Sequence, residues 1–109
     1  MTNIIIERKE GSIIQVECYG HTDYADAGED IVCASVSSIT QTALLGLKTI
    51  VGIEVESLRD DDLGYLKFTL PDNLGKTKRH ECDIILDTMC AGLKDIESGF
   101  SKFVKVEDK

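Results

Sequence analysis

"NIIIERKEGSIIQVECYG", residues 3–20, is the stretch on which the architecture turns. β-Branched runs flank Lys9-Glu10-Gly11-Ser12, a turn cluster whose glycine accepts positive φ. Ile14, Val16 and Cys18 alternate at period two, so the stretch is expected to be a hairpin with one apolar face. Cys18 is in step with that face and reads as a core residue.

Beyond the hairpin the period changes. Val32, Val36, Ile39, Ala43, Leu47 and Ile50 recur at steps of three and four, which predicts a helix of about five turns with one buried stripe. "IEVESLRDDDLGYLKFTLP", residues 53–71, repeats the hairpin pattern: Val55 and other apolar residues precede Asp60-Asp61-Asp62-Leu63-Gly64, and Tyr65 to Leu70 follow, stopped by Pro71. From about Gly75, Cys82, Ile85, Leu86, Met89, Leu93 and Ile96 form a second helical stripe, ending near Ser98-Gly99 with glycine at C′. "SKFVKVED", residues 101–108, adds a last strand. The predicted order is β-β-α-β-β-α-β. Hairpin-joined strands are antiparallel and two one-faced helices must bury their stripes, so the expected fold is α+β: an antiparallel sheet with two packed helices, one domain over residues 1–109.

Composition narrows the function classes. Twenty acidic against twelve basic residues leave a net charge of −8, which repels phosphate backbones and anionic membrane surfaces. The expected partner is therefore basic, with no direct nucleic-acid or membrane binding. "MTNIIIERKE" lacks the basic n-region and apolar core of a secretory signal, so the chain is expected to be cytoplasmic. There Cys18, Cys33, Cys82 and Cys90 are expected to be reduced thiols, and no CxxC pair suggests zinc or a redox motif. Cys82 and Cys90 lie near the second helical stripe and read as core; His80 reads as solvated. Asp60 to Asp62 lack EF-hand spacing and read as a solvated hairpin tip, so no metal and no cofactor are expected.

One stretch is left unexplained by the fold: "GHTDYADAGEDIVCASVS", residues 20–37. Asp30 is a favourable N-cap ahead of the first periodic apolar residues, which places Cys33 at N3. Unsatisfied amides and the positive dipole end at that turn favour a thiolate and can donate to a developing oxyanion. His21, at the end of the second strand, can be returned to the helix start by the intervening loop, a minimal Cys-His arrangement for acyl transfer. Asp30 is a candidate to orient the imidazole, and Ser37, one turn after Cys33, a candidate to contact imidazole or substrate. The loop between His21 and Asp30 has the small residues expected of a lid. Spacing alone leaves a second reading open, a Gly-His turn closing the strand and a packed cysteine.

The same residues resemble the signature of the bacterial ribosomal-processing cysteine protease (Prp) family: Gly-His, a short acidic Ala/Gly loop, Gly-x-Asp-Ile-Val-Cys-Ala and a following Ser, matched here from Gly20 through Ser37. Thr22 and Ser35 stand where alanine is frequent in that family. The resemblance implies a small homodimeric α+β endopeptidase that removes the N-terminal extension of a large-subunit ribosomal protein, with His21 and Cys33 as its catalytic pair. A basic ribosomal-protein tail would suit the net negative charge. Two readings from other classes stand beside it: a noncatalytic ribosome-assembly adaptor binding a basic tail, and a thiol redox sensor.

Overall fold

A computed structural model describes residues 1–20 and 27–109. The elements are β1 (Thr2–Lys9), β2 (Ser12–Tyr19), α1 (Ala27–Gly46) running into a π-helical turn (Leu47–Val51), β3 (Glu56–Asp60), β4 (Tyr65–Thr69), α2 (Lys76–Gly99) and β5 (Val104–Asp108). The expected order is borne out. The five strands lie in the spatial order β3-β4-β2-β1-β5.

Local chemistry explains the hairpins. Between β1 and β2, Glu10 (φ 53°) and Gly11 (φ 85°) both take positive φ, the signature of a type I′ turn whose twist matches the flanking strands. Between β3 and β4, Asp60 pairs with Tyr65 across a four-residue loop, and Asp60 Oδ1 accepts from the amides of Asp62 (3.1 Å) and Leu63 (3.2 Å). That Asx-type capping is why an acidic cluster suits the tip.

One face of the sheet is the core. Ile4, Ile6, Ile13, Val16, Cys18, Leu66, Phe68 and Val104 are buried under Val32, Val36, Ala43 and Leu47 of the first helix and Cys82, Leu86, Met89, Cys90 and Leu93 of α2. Ile31–Val51 is long and apolar enough to cross a membrane by length and composition, yet here it lies on the sheet.

The structure corrects several expectations. Ile14 is not part of the buried series: Glu7 pairs with Gln15 but Arg8 with Ile13, so Ile14 is the extra residue of a β-bulge and Ile13 takes the core position. The sheet is antiparallel except that β5 runs parallel to β1. The reason is topological: β4–α2–β5 is a crossover, which returns the chain in β4's direction, and β1 already runs that way after two antiparallel steps. Ile50 is exposed instead of completing the first stripe, because the wider π turn advances the register and buries Val51 in its place. Gly52 (φ 80°), not Gly99, is the left-handed C-cap; α2 continues through Gly99 to a Phe100 cap. Finally, α1 begins at Ala27, three residues before the expected Asp30 cap. Alanine is the strongest helix former and acidic residues are favoured in a first turn, so Ala27, Glu29 and Asp30 extend the helix rather than stop it.

Gly20 (φ 107°) ends the described part of β2's exit, and a Cβ there would overlap the Met1 carbonyl oxygen. Gly20→Ala is therefore expected to cost at least ~2 kcal/mol, read as a lower urea midpoint; an unchanged midpoint would contradict the tight approach. At the opposite end, Arg8 joins β1, β5 and α2: its Nε and Nη2 donate to both Asp108 oxygens (2.7 and 3.2 Å) and its Nη1 to Asp87 (3.0 Å), while Lys94 donates to Asp108 (2.9 Å). The Arg8 hydrogen bonds, then Lys94, hold the Asp108 carboxyl down at about 2. A depressed carboxyl stabilises the fold above its ordinary value of 3.8 and loses that contribution as pH falls toward 2. Asp108→Asn should cost about 1 kcal/mol at pH 7 after solvent screening, and the difference from wild type should vanish near pH 2. Urea titrations at both pH values measure it.

Candidate active site

α1 is laid on the sheet by Val32, Val36, Thr40, Ala43 and Leu47. One residue further round, at about 100° per residue, Cys33, Ser37 and Gln41 form a flanking row at four-residue spacing. That row is one wall of a cleft of about 310 Å³. The start of β1 contributes Thr2, the end of β2 contributes Cys18 and Gly20, and the β3–β4 hairpin contributes Arg59, Asp61 and Tyr65.

Burial separates the four thiols. Cys18, Cys82 and Cys90 are buried and Cys33 is half-buried at the cleft. Desolvation pushes the Cys18 thiol up to about 12, although it too borders the cleft, and raises Cys82 and Cys90 as well. Those three are neutral at physiological pH and behave as small hydrophobes, as their core reading anticipated. Cys33 Sγ lies 3.1 Å from Thr2 Oγ1.

The opposite wall is polar and tied to the helix. Gln41 Nε2 donates to Ser37 Oγ (2.6 Å), and Arg59 Nη1 donates to Gln41 Oε1 (3.1 Å). Arg59 Nε in turn donates to Asp61 (2.6 Å), so the hairpin tip and the helix row form one network. Tyr65 donates its phenol proton to Glu17 (2.6 Å), which raises the phenol above its ordinary range.

The sequence-predicted residues divide as follows. Cys33 and Ser37 share the cleft wall. His21 directly follows the cleft-lining Gly20 and, with the rest of the expected lid up to Asp26, lies outside the described residues. Asp30 is in the first turn of α1, one turn before Cys33, and not at its cap. Cys33 is consequently the seventh helical residue, where its amide belongs to the i→i−4 ladder and the terminal dipole has faded. Helix-end amides at Cys33 are thus not available to it or to an oxyanion. His80 is exposed on α2, in a shallow groove with Asp83 and Asp87 that shares no residue with the cleft.

Thr2, Gln41 and Arg59 were not anticipated. Only Thr2 carried a local signal, a hydroxyl in step with the core residues Ile4 and Ile6. The other two depend on how the hairpin folds back over α1.

Comparison with known proteins identifies the family and agrees with the fold. The family model described as cysteine protease Prp matches residues 1–105. The ribosomal processing cysteine protease Prp of Bacillus subtilis is 28% identical over 94 residues, covering 86% of this chain and 84% of that protein. The Staphylococcus aureus protein of the same name is 27% identical over 100 residues, covering 92% and 91%. Among solved structures, S. aureus Prp in complex with a substrate peptide covers 100% of both chains at 25% identity with a TM-score of 0.87. The same protein with a covalently linked product peptide matches at 25% identity and a TM-score of 0.83, again over 100% of both chains. With the matched region taking in the cleft, the half-buried Cys33 and all the elements that hold it, this chain belongs to the Prp family of cysteine proteases.

Proposed function

We propose that this protein is an endopeptidase that removes the N-terminal extension of a large-subunit ribosomal protein, with Cys33 as nucleophile and His21 as general base and acid. The observation that carries the reading is the sorting of the thiols: three are buried, and of the two that border the cleft, Cys18 and Cys33, only Cys33 is half-buried rather than buried. The relatives' names supply the substrate class, and the net charge of −8 suits a basic tail.

In this mechanism His21 takes the Cys33 proton and the thiolate bonds to the scissile carbonyl carbon. As the tetrahedral species collapses, the carbon–nitrogen bond breaks and the imidazolium delivers its proton to the departing amine. Water, deprotonated by His21, then attacks the thioester, and the carbon–sulfur bond breaks to return the thiolate, which regains the proton from the imidazolium. Asp30 and Ser37, one helical turn before and after Cys33, are assigned supporting roles. Asp30 lies within α1 rather than at its cap, and orienting the imidazole is the role proposed for it. Ser37 Oγ already accepts from Gln41, so its own proton is directed to imidazole or substrate.

A redox sensor would need a resolving thiol. Cys18 is the other cysteine bordering the cleft, and burial keeps it protonated, which disfavours that reading.

Cleavage of the full-length ribosomal protein, followed by mass spectrometry, tests the assignment. Cys33→Ala and His21→Ala should each lower kcat/KM by about 10³-fold or more while leaving substrate binding intact. Unchanged cleavage in both would sink the pair, and tail binding without cleavage by the wild-type chain would indicate the adaptor instead. The active form is proposed to be a cytoplasmic homodimer, which the exposed Leu45 and Ile50 on the first helix and its π turn support as an apolar contact face. Sedimentation equilibrium should return about twice 12.0 kDa, and Leu45→Ser with Ile50→Ser should return the monomer; a wild-type monomer at all concentrations would reject the dimer.

A further inference from the structure

Thr2 occupies a core position in β1. Side chains alternate along a strand, and Thr2, Ile4 and Ile6 point the same way, with Thr2 only 7% exposed and both isoleucines 0%. Valine would fill the same volume without a polar atom, and a buried hydroxyl costs free energy unless it finds a partner. Thr40, the other buried polar residue among those described, is satisfied by its own helix through the carbonyls of Val36 (2.9 Å) and Ser37 (3.2 Å). Thr2 is different: the side-chain partner of its hydroxyl among the described residues is Cys33 Sγ, 3.1 Å away and 31 positions along the chain.

The hydroxyl is also held firmly. The Thr2 amide donates to the Phe103 carbonyl (2.8 Å), and Thr2 is in register with Val104 of β5. β-Branching restricts χ1 further, so the oxygen has little freedom to leave the sulfur. A thiolate carries no proton. Once Cys33 is ionised, therefore, only the Thr2 O–H can donate across this contact, and the interaction is stronger for the thiolate than for the thiol.

We infer that Thr2 is a positioning residue of the protease, its hydroxyl donating to Cys33 Sγ so that the sulfur is fixed at the cleft wall. The inference rests on the reading of Cys33 as nucleophile. It also supplies what the helix start does not, since Cys33 sits beyond the reach of the terminal amides. Thr2 transfers no proton to substrate; as the sulfur bonds to carbon and loses its charge, the hydrogen bond simply weakens.

Two full-length variants test it, Thr2→Val and Thr2→Ser, each checked by thermal melting. One readout is cleavage of the full-length ribosomal protein. The other needs no substrate: the rate of Cys33 alkylation by iodoacetamide from pH 6 to 10, located by peptide mapping. Thr2→Val should lower kcat about tenfold with KM unchanged, and lower the rate of Cys33 alkylation severalfold. Thr2→Ser should restore both. A Thr2→Val protein that matches wild type in both readouts, or a Thr2→Ser protein as impaired as Thr2→Val, would overturn the inference. Cys33→Ala in parallel separates the two levels: surviving activity removes the nucleophile reading itself, whereas an inactive Cys33→Ala beside an unaffected Thr2→Val removes only the role of Thr2.

Discussion

A helix with one apolar stripe has to lie with that stripe on the sheet, and this single packing constraint places the chemistry. Once Val32, Val36, Thr40, Ala43 and Leu47 are against the strands, the rotation of Cys33, Ser37 and Gln41 is no longer free. They stand on the helix flank that faces the ends of β1 and β2 and the β3–β4 hairpin. The same seating sets the two helices side by side, with Gly46 facing the Ile85 side chain and Gly92 facing that of Ile39. The core and the cleft are therefore two consequences of one docking event.

Much of this was legible locally. Hairpins announce themselves through turn residues and alternation, helices through a 3.6-residue period, and both signals lie within a few residues of one another. Element order and nearly all of the buried stripe followed from them. What escaped was set by partners distant in sequence. The bulge at Ile14 is a property of β1 and β2 together. The parallel placement of β5 was derivable in principle, since two helix crossovers require it, but the hairpins alone suggested a purely antiparallel sheet. The end of the first helix was misjudged because a π turn leaves no periodic mark of its own: it shows only as the exchange of Ile50 for Val51 in the core.

At the site the division is similar. A motif named Cys33 and Ser37, and the structure brings both to one wall. The helix start was the weak point, because Asp30 satisfies the composition of a cap while Ala27 to Asp30 also satisfy that of a first turn, and propensity favoured the longer helix. That difference of three residues alters the electrostatic account of Cys33. A thiol at N3 is served by free amides; a thiol seven residues in depends on side chains. Arg59 and Gln41 escaped because neither has a local pattern, and their meeting depends on how the hairpin closes over α1.

The position of Cys33, the proposed nucleophile, follows from its neighbouring helical positions. One residue back, at Val32, a thiol would sit in the core, where burial would leave it neutral and unreachable, the condition that Cys18 illustrates from β2. One residue forward, Ala34 is exposed, and a thiol there would turn away from the buried hydroxyl at the start of β1. Only the intermediate rotation combines access to a cleft with contact to a rigid donor. The reactivity proposed for Cys33 therefore follows from a helix register set by apolar packing, with the polar groups of the cleft acting on a sulfur that the core has already aimed.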